Sequence, residues 1–149
     1  MSDIKIYVAS PLDKDKRENL FRAVEILRGK GYDVYNPVEH VIPNAWDYPN
    51  PEWGLQVFTL DFAAIKRSDF VVVLNYGRQG TTTGTAIEQG IAFDSGIKVI
   101  LVEMPFPVED DVQSLMVANA RFATVKGIEG LSEYDFENPL PLRVDTEQK

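Results

Sequence analysis

Cysteine is absent from the chain, and histidine occurs once, as His40. Without thiols there is no disulfide, no thiolate nucleophile and no cysteine-ligated zinc. A single imidazole excludes a metal site built on several histidines, and any histidine-dependent triad would have to use His40. Positive charge is also scarce: 15 lysines and arginines face 23 acids, for a net charge of -8. That balance argues against broad binding to nucleic-acid polymers or anionic membranes, both of which need a basic surface. A small anionic ligand held by local amides is still compatible with it. No apolar run approaches the ~20 residues of a membrane span. The opening MSDIKIYVAS lacks the basic-then-apolar order of a secretory signal. Internal repeats and low-complexity tracts are missing too. A cytoplasmic enzyme or binding protein is expected.

What is present fits one domain over residues 1–149, with 44% hydrophobic residues to fill a core. IKIYVAS (4–10) reads as a buried strand. Leu20, Ala23, Val24 and Leu27 then recur at helical spacing, ended by Gly29 and Gly31. YDVYNP reads as a second strand. Residues 38–54 form an irregular stretch that holds both tryptophans, and Trp46, Tyr48 and Trp53 are either pocket walls or plain packing anchors. Residues 52–69 are helical in pattern through Leu55, Phe58, Phe62 and Ile65. FVVVLNYG (70–77) and IKVILVEMP (97–105) read as central parallel strands covered on both faces. Between them a Gly/Thr turn leads into a helix whose Ile87, Ile91 and Ala92 are expected to face the sheet. VEDDVQSLMVANA reads as a further helix, RFATVKG as a last strand, and the tail as an extended segment that packs on a neighbour.

This alternation implies an α/β fold: a flavodoxin-like (Rossmann-like), doubly wound, five-stranded parallel sheet with right-handed crossovers. With strand order 2-1-3-4-5, ligands bind between strands one and three, at the carboxyl ends. Residues 9–12 and 75–88 arrive there. The candidate site residues are therefore Tyr7, Ser10 and Pro11 from the first strand and its exit, Asp61 from the helix before strand three, and Thr82, Gly84 and Glu88 after it. Each has a plainer reading. Glu88 either complements a helix dipole or is a catalytic carboxylate. Asp61 is a capping or solvent-facing acid, or part of the site. Tyr7 is a core aromatic with a satisfied hydroxyl, or a phenol in the site. The Gly/Thr turn is neither a dinucleotide fingerprint nor a P-loop. His40 reads as structural or substrate-lining rather than catalytic, and Lys14, Lys16 and Arg17 as a solvated helix start or a phosphate contact.

Four fragments in order carry a resemblance: IYVASP; LDFAAIKRSDFVVVL, with Asp61, Ile65 and Asp69; GTAIEQGIAFDSGIKVILV, with Gly84, Glu88, Gly90, Ala92, Gly96 and Lys98; and SLM with the tail YDFENP. Together they resemble the nucleoside 2-deoxyribosyltransferase family over nearly the whole chain. The resemblance implies that Glu88 is the nucleophile, forming a covalent deoxyribosyl-enzyme that passes the sugar to a second base or to water. It implies that Tyr7 holds that carboxylate and that Asp61 lines the substrate site. It also implies that Met116 and Ser114 reach into a neighbouring subunit's site, the latter toward the sugar's 5′ end. A homo-oligomer with shared sites, a nucleoside and a free nucleobase as partners, and no cofactor or metal follow from the same likeness.

The pattern departs from the family at Thr82, where the transferases usually carry an aspartate that protonates or holds the leaving base. A related branch hydrolyses 2′-deoxynucleoside 5′-monophosphates. It shares the serine at 114 but places an arginine where this chain has Ala118, and a Gly-Ser loop with arginine where this chain has SPLDKDKR. Tail and length favour the transferases. Base exchange is thus the leading reading; N-glycosidase action on a nucleoside or its 5′-monophosphate, and a non-catalytic nucleotide-binding module, are the alternatives.

Overall fold

Alternation along each strand decides what covers each face of the sheet. In β1 (Lys5–Ala9) Ile6 and Val8 point to one side and Tyr7 and Ala9 to the other. The same split runs through β3 (Phe70–Asn75) and β4 (Lys98–Glu103), which are apolar at every inward position on both faces. A strand buried on both sides needs a helical layer on both sides. The computed structural model, which describes residues 2–39, 41–144 and 146–149, has that arrangement. His40, read above as structural or substrate-lining, lies outside the described residues.

The strands run parallel in the order β2-β1-β3-β4-β5, with β2 at Asp33–Tyr35 and β5 at Ala123–Lys126. This is the expected doubly wound order, and its reversal falls between β1 and β3. One face is covered by α1 (Arg17–Gly29) and α5 (Gly127–Glu133), the other by α2 (Asn50–Lys66), α3 (Thr83–Asp94) and the short α4 (Leu115–Asn119). Leu20, Ala23, Val24 and Leu27 are the buried residues of α1, as their spacing predicts. Among the described residues no helix is long and apolar enough to cross a membrane.

Several elements differ from expectation, each for a local reason. The helix α2 starts at Asn50, because Pro51 fits the first turn, where its missing N–H has no intrahelical partner to lose. Trp53 is therefore helical, and the preceding loop carries two short 3-10 turns, at Pro37–Glu39 and Ala45–Asp47. On α2 only Ala64 and Ile65 are buried; Leu55, Phe58 and Phe62 are exposed in the isolated chain. On α3 the inward residues are Thr85, Gln89 and Ala92, while Ile87 turns outward. The helix expected over 108–120 shrinks to α4. Asp110 adopts a left-handed φ of 61°, and the Asp111 carboxylate accepts the N–H groups of Gln79 and Val112, which spends the segment on bracing the loop after β3. The helix α5 escapes the hydrophobic pattern because two of its seven residues are glycines. A side chain on one of them, Gly130, would stand 3.1 Å from Val125 of β5. The tail docks on its own chain: Gln113 and Leu115 donate to the carbonyls of Glu147 and Lys149, and Thr124 donates to that of Leu142.

The loop between β3 and α3 is held from three sides. Thr81 Oγ1 donates to Asn75 Oδ1 at 2.8 Å and accepts the Tyr76 N–H at 2.9 Å. Lys16 is buried, not solvated; its Nζ donates to the Gly80 carbonyl at 2.6 Å, pairs with Asp13 and lies over the Tyr76 ring. Lys14 and Arg17 are exposed. A Cβ on Gly80 would stand 2.4 Å from the Tyr76 carbonyl oxygen, whereas one on Gly84 would meet nothing within 4 Å. Gly80→Ala is therefore expected to lower urea-denaturation stability by ~2 kcal/mol, since backbone must shift. Gly84→Ala, inside a helix, is expected to raise it by about 0.5 kcal/mol. Equal effects of the two would refute this account of the loop.

Candidate active site

Tyr7 emerges from β1 toward the α2–α3 side and is fully buried. Its hydroxyl donates to Glu88 Oε2, on the second turn of α3. The first turn of α3 contains no acid. Its amides are served instead by Thr82, the N-cap, whose Oγ1 accepts from the Thr85 N–H at 3.4 Å. Glu88 is thus aimed at a phenol and a cleft, and helix-dipole complementation does not account for it.

The cleft has a volume of about 220 Å³ and is lined by Phe58, Asp61, Phe62 and Ile65 of α2 and by Gly84, Ile87, Glu88 and Ile91 of α3. Six of these are apolar or glycine, which leaves Asp61 and Glu88 as its ionisable groups. Burial is the main reason why the Glu88 carboxyl is pushed up to about 7. The Tyr7 hydrogen bond works against that shift, and the Asp61 charge works with it. Burial and then the Glu88 charge raise the Tyr7 phenol well above its usual range, so it stays a donor.

Asp61 sits in mid-helix, away from either end of α2, so it caps nothing. It lines the cleft and also a second chamber of about 430 Å³, walled by the 37–46 loop with Trp46, by Trp53 and Val57 of α2, and by Leu12. The tryptophan-bearing loop therefore does form a pocket wall. Tyr35 of β2, which the sequence pattern did not single out, donates to Asp61 Oδ1 at 3.2 Å, and burial with the Asp61 charge pushes its phenol up to about 12. The signal that would have found it is strand pairing, because Tyr35 lies opposite Tyr7 in register.

The other candidates separate into two groups. Gly84 lines the cleft. Thr82 borders it as the α3 cap, its hydroxyl shared with Thr85 Oγ1 at 2.8 Å. Ser10 and Pro11 are buried at the exit of β1, where Ser10 Oγ donates to the Pro11 carbonyl. They line neither chamber. Ser114 and Met116 lie at the start of α4 and also line neither chamber of their own chain; Met116 is 73% exposed. Among the described residues no cluster of three histidine or acidic side chains is placed to hold a metal ion.

A known family and several solved structures are similar to this chain. The family model described as nucleoside 2-deoxyribosyltransferase matches residues 6–141. A solved structure of a 2-deoxyribosyltransferase from the psychrotolerant bacterium Bacillus psychrosaccharolyticus superposes with a TM-score of 0.75 at 29% identity, covering 89% of this chain and 93% of that one. A conserved protein from Enterococcus faecalis gives 0.54 at 26% identity, over 69% of this chain and 65% of that one. A CMP N-glycosidase from Clostridium botulinum gives 0.49 at 24%, over 67% and 71%. A search of curated proteins gives no match.

A carboxyl raised to about 7 in the folded chain, against an ordinary 4.5, binds more protons folded than unfolded between those pH values. It therefore costs stability as pH rises through that window. Glu88→Gln keeps an acceptor for Tyr7 and removes the charge. Its stability gain over wild type is expected to grow from near zero at pH 4 to on the order of 3 kcal/mol at pH 8. Urea titrations at both pH values check it, and a gain independent of pH would show that Glu88 is not held as described.

Proposed function

The chain belongs to the nucleoside 2-deoxyribosyltransferase family, and from that premise we propose that it exchanges the base of 2′-deoxyribonucleosides through a deoxyribosyl ester on Glu88. The observation that carries the reading is the pairing of a buried phenol with a half-buried carboxylate in a cleft that is apolar but for Glu88 and Asp61. Glu88 attacks C1′ of the nucleoside, and the C1′–N bond breaks with its electron pair going to the departing base. The base leaves with a proton. A second base then attacks C1′, the ester bond breaks, the pair returns to the Glu88 carboxylate and the incoming base gives up a proton, so the exchange balances. Tyr7 steers one carboxylate oxygen by hydrogen bonding and leaves the other for the sugar.

Asp61 is placed to serve the base, because it faces the Glu88 cleft and the tryptophan-walled chamber alike. The flat, largely apolar walls of that chamber suit a neutral aromatic ring. Thr82 cannot supply a proton near neutral pH, and its hydroxyl is occupied as a helix cap. Proton traffic on the base therefore falls to Asp61 or solvent. Transfer rather than hydrolysis is favoured by Phe58, Phe62, Ile65, Ile87 and Ile91 around the nucleophile, which give an attacking water few polar partners.

The apolar wall of the cleft is also part of an outer surface. Leu55, Phe58, Ile87, Leu115 and Met116 are each more than half exposed in the isolated chain, and large apolar side chains left in water are the kind of surface that an interface covers. A second copy of the chain closes this side and brings Ser114 and Met116 to the partner's cleft.

Two measurements test the reading. Protein incubated with a 2′-deoxynucleoside and a different free base is expected to yield the new deoxynucleoside. Activity should fall off below about pH 7 as Glu88 takes up a proton, and Glu88→Ala should lose at least ~1,000-fold. Free base without exchange would turn the assignment to an N-glycosidase, and no turnover would leave a binding module. Leu55→Asp, outside both chambers, is expected to give monomers on sizing with activity lost in step; a fully active monomer would remove the shared-site part of the reading.

A further inference from the structure

Tyr35 belongs to none of the family-like fragments, yet it touches the supports of both carboxylates. The parallel register of β1 and β2 sets Tyr7 opposite Tyr35, on the same face of the sheet. Their rings stack with centroids 5.4 Å apart and planes 12° apart. The Tyr7 hydroxyl donates to Glu88, and the Tyr35 hydroxyl donates to Asp61. The Arg67 guanidinium lies 5.6 Å from the centroid of the Tyr35 ring, which adds a cation–π contact that limits how far the ring can swing. Two phenol–carboxylate pairs are thus locked in register by one aromatic stack.

We propose that Tyr35 is a positioning residue with two separable jobs: its hydroxyl aims Asp61 at the boundary between cleft and tryptophan-walled chamber, and its ring holds Tyr7 and, through Tyr7, Glu88. The kinetic consequence rests on the base-exchange reading above; the geometric one does not. An aspartate on a helix has two side-chain torsions, and one donated hydrogen bond selects among their settings. The stack acts differently. It packs one side of Tyr7 with a flat ring, excludes water from the Tyr7–Glu88 bond and fixes the phenol's direction. Among the described residues the groups with charge or a titratable proton around Glu88 are Tyr7 from β1, Asp61 from α2 and Tyr35 from β2.

Two variants separate the jobs. Tyr35→Phe keeps the ring and deletes the hydroxyl. The value of kcat/KM for base exchange is expected to fall about tenfold, while the acid limb of the pH profile stays in place and Tm barely moves. Tyr35→Leu deletes the ring as well. There kcat/KM is expected to fall about a hundredfold, and the acid limb should move to lower pH as water reaches the Tyr7–Glu88 pair. Side-chain carboxyl resonances in carbon-13-labelled protein read the same split without turnover. The Asp61 signal should move in Tyr35→Phe with that of Glu88 unchanged, and both should move in Tyr35→Leu. Wild-type kinetics with an unmoved Asp61 signal in Tyr35→Phe would overturn the proposal. So would a Glu88 signal that moves as far in Tyr35→Phe as in Tyr35→Leu. If the wild-type protein exchanges no bases, the proposed function fails, and the carboxyl signals still decide the role of Tyr35. Should Tyr35→Leu not fold, the Tyr35→Phe comparison decides alone.

Discussion

A buried phenol that donates to a half-buried carboxylate is the contact on which the rest of the site depends. Neither group is comfortable alone. An uncompensated carboxylate in an apolar cleft pays for lost hydration, and a buried tyrosine hydroxyl without a partner costs an unmade hydrogen bond. Tyr7 and Glu88 meet each other's need only because β1 and α3 are held at a fixed spacing. Burial still outweighs the hydrogen bond, which leaves Glu88 a carboxyl near 7 rather than an ordinary surface acid. Such a group lies close enough to neutral pH to change its charge there.

That spacing is maintained by polar side chains whose work is structural. Thr82 caps α3, Thr81 and Asn75 set the turn before it, and Lys16 fastens the turn to the exit of β1. Lysine is seldom buried, and here its amine is matched by a carbonyl, a carboxylate and a ring. The two hydrophobic layers supply the bulk of the stabilisation, but they are tolerant of sliding. Hydrogen bonds with one allowed geometry convert an approximate fold into a site with a defined shape.

Much of this was legible in the sequence, and the failures have physical causes. Strands such as β3 announce themselves because burial on both faces leaves an unbroken apolar run, FVVVL, before Asn75. The strand order, the family and the aromatic loop followed from pattern and likeness. Helical periodicity misled where the apolar stripe belongs to a surface: Leu55, Phe58 and Ile87 repeat as core residues do, yet the chain leaves them exposed. Residues 108–114 read as helix because their acids suit a first turn, but Asp111 spends its carboxylate on backbone amides of another loop. Tyr35 stayed hidden since its importance is pairwise: it is defined by what lies opposite it, and a one-dimensional pattern does not hold that information.

Gln89, one residue beyond Glu88, is almost wholly buried, and its Nε2 donates to the carbonyls of Val117 at 2.7 Å and Ala120 at 2.9 Å. The segment bearing Ser114 and Met116 is thereby moored to the very helix that carries Glu88. Sequence change in one cannot be neutral for the other. A lineage, or a designer, redrawing the outer surface near Met116 is also tugging on the Glu88 carboxylate, so variation there is expected to arrive in compensating pairs rather than one residue at a time.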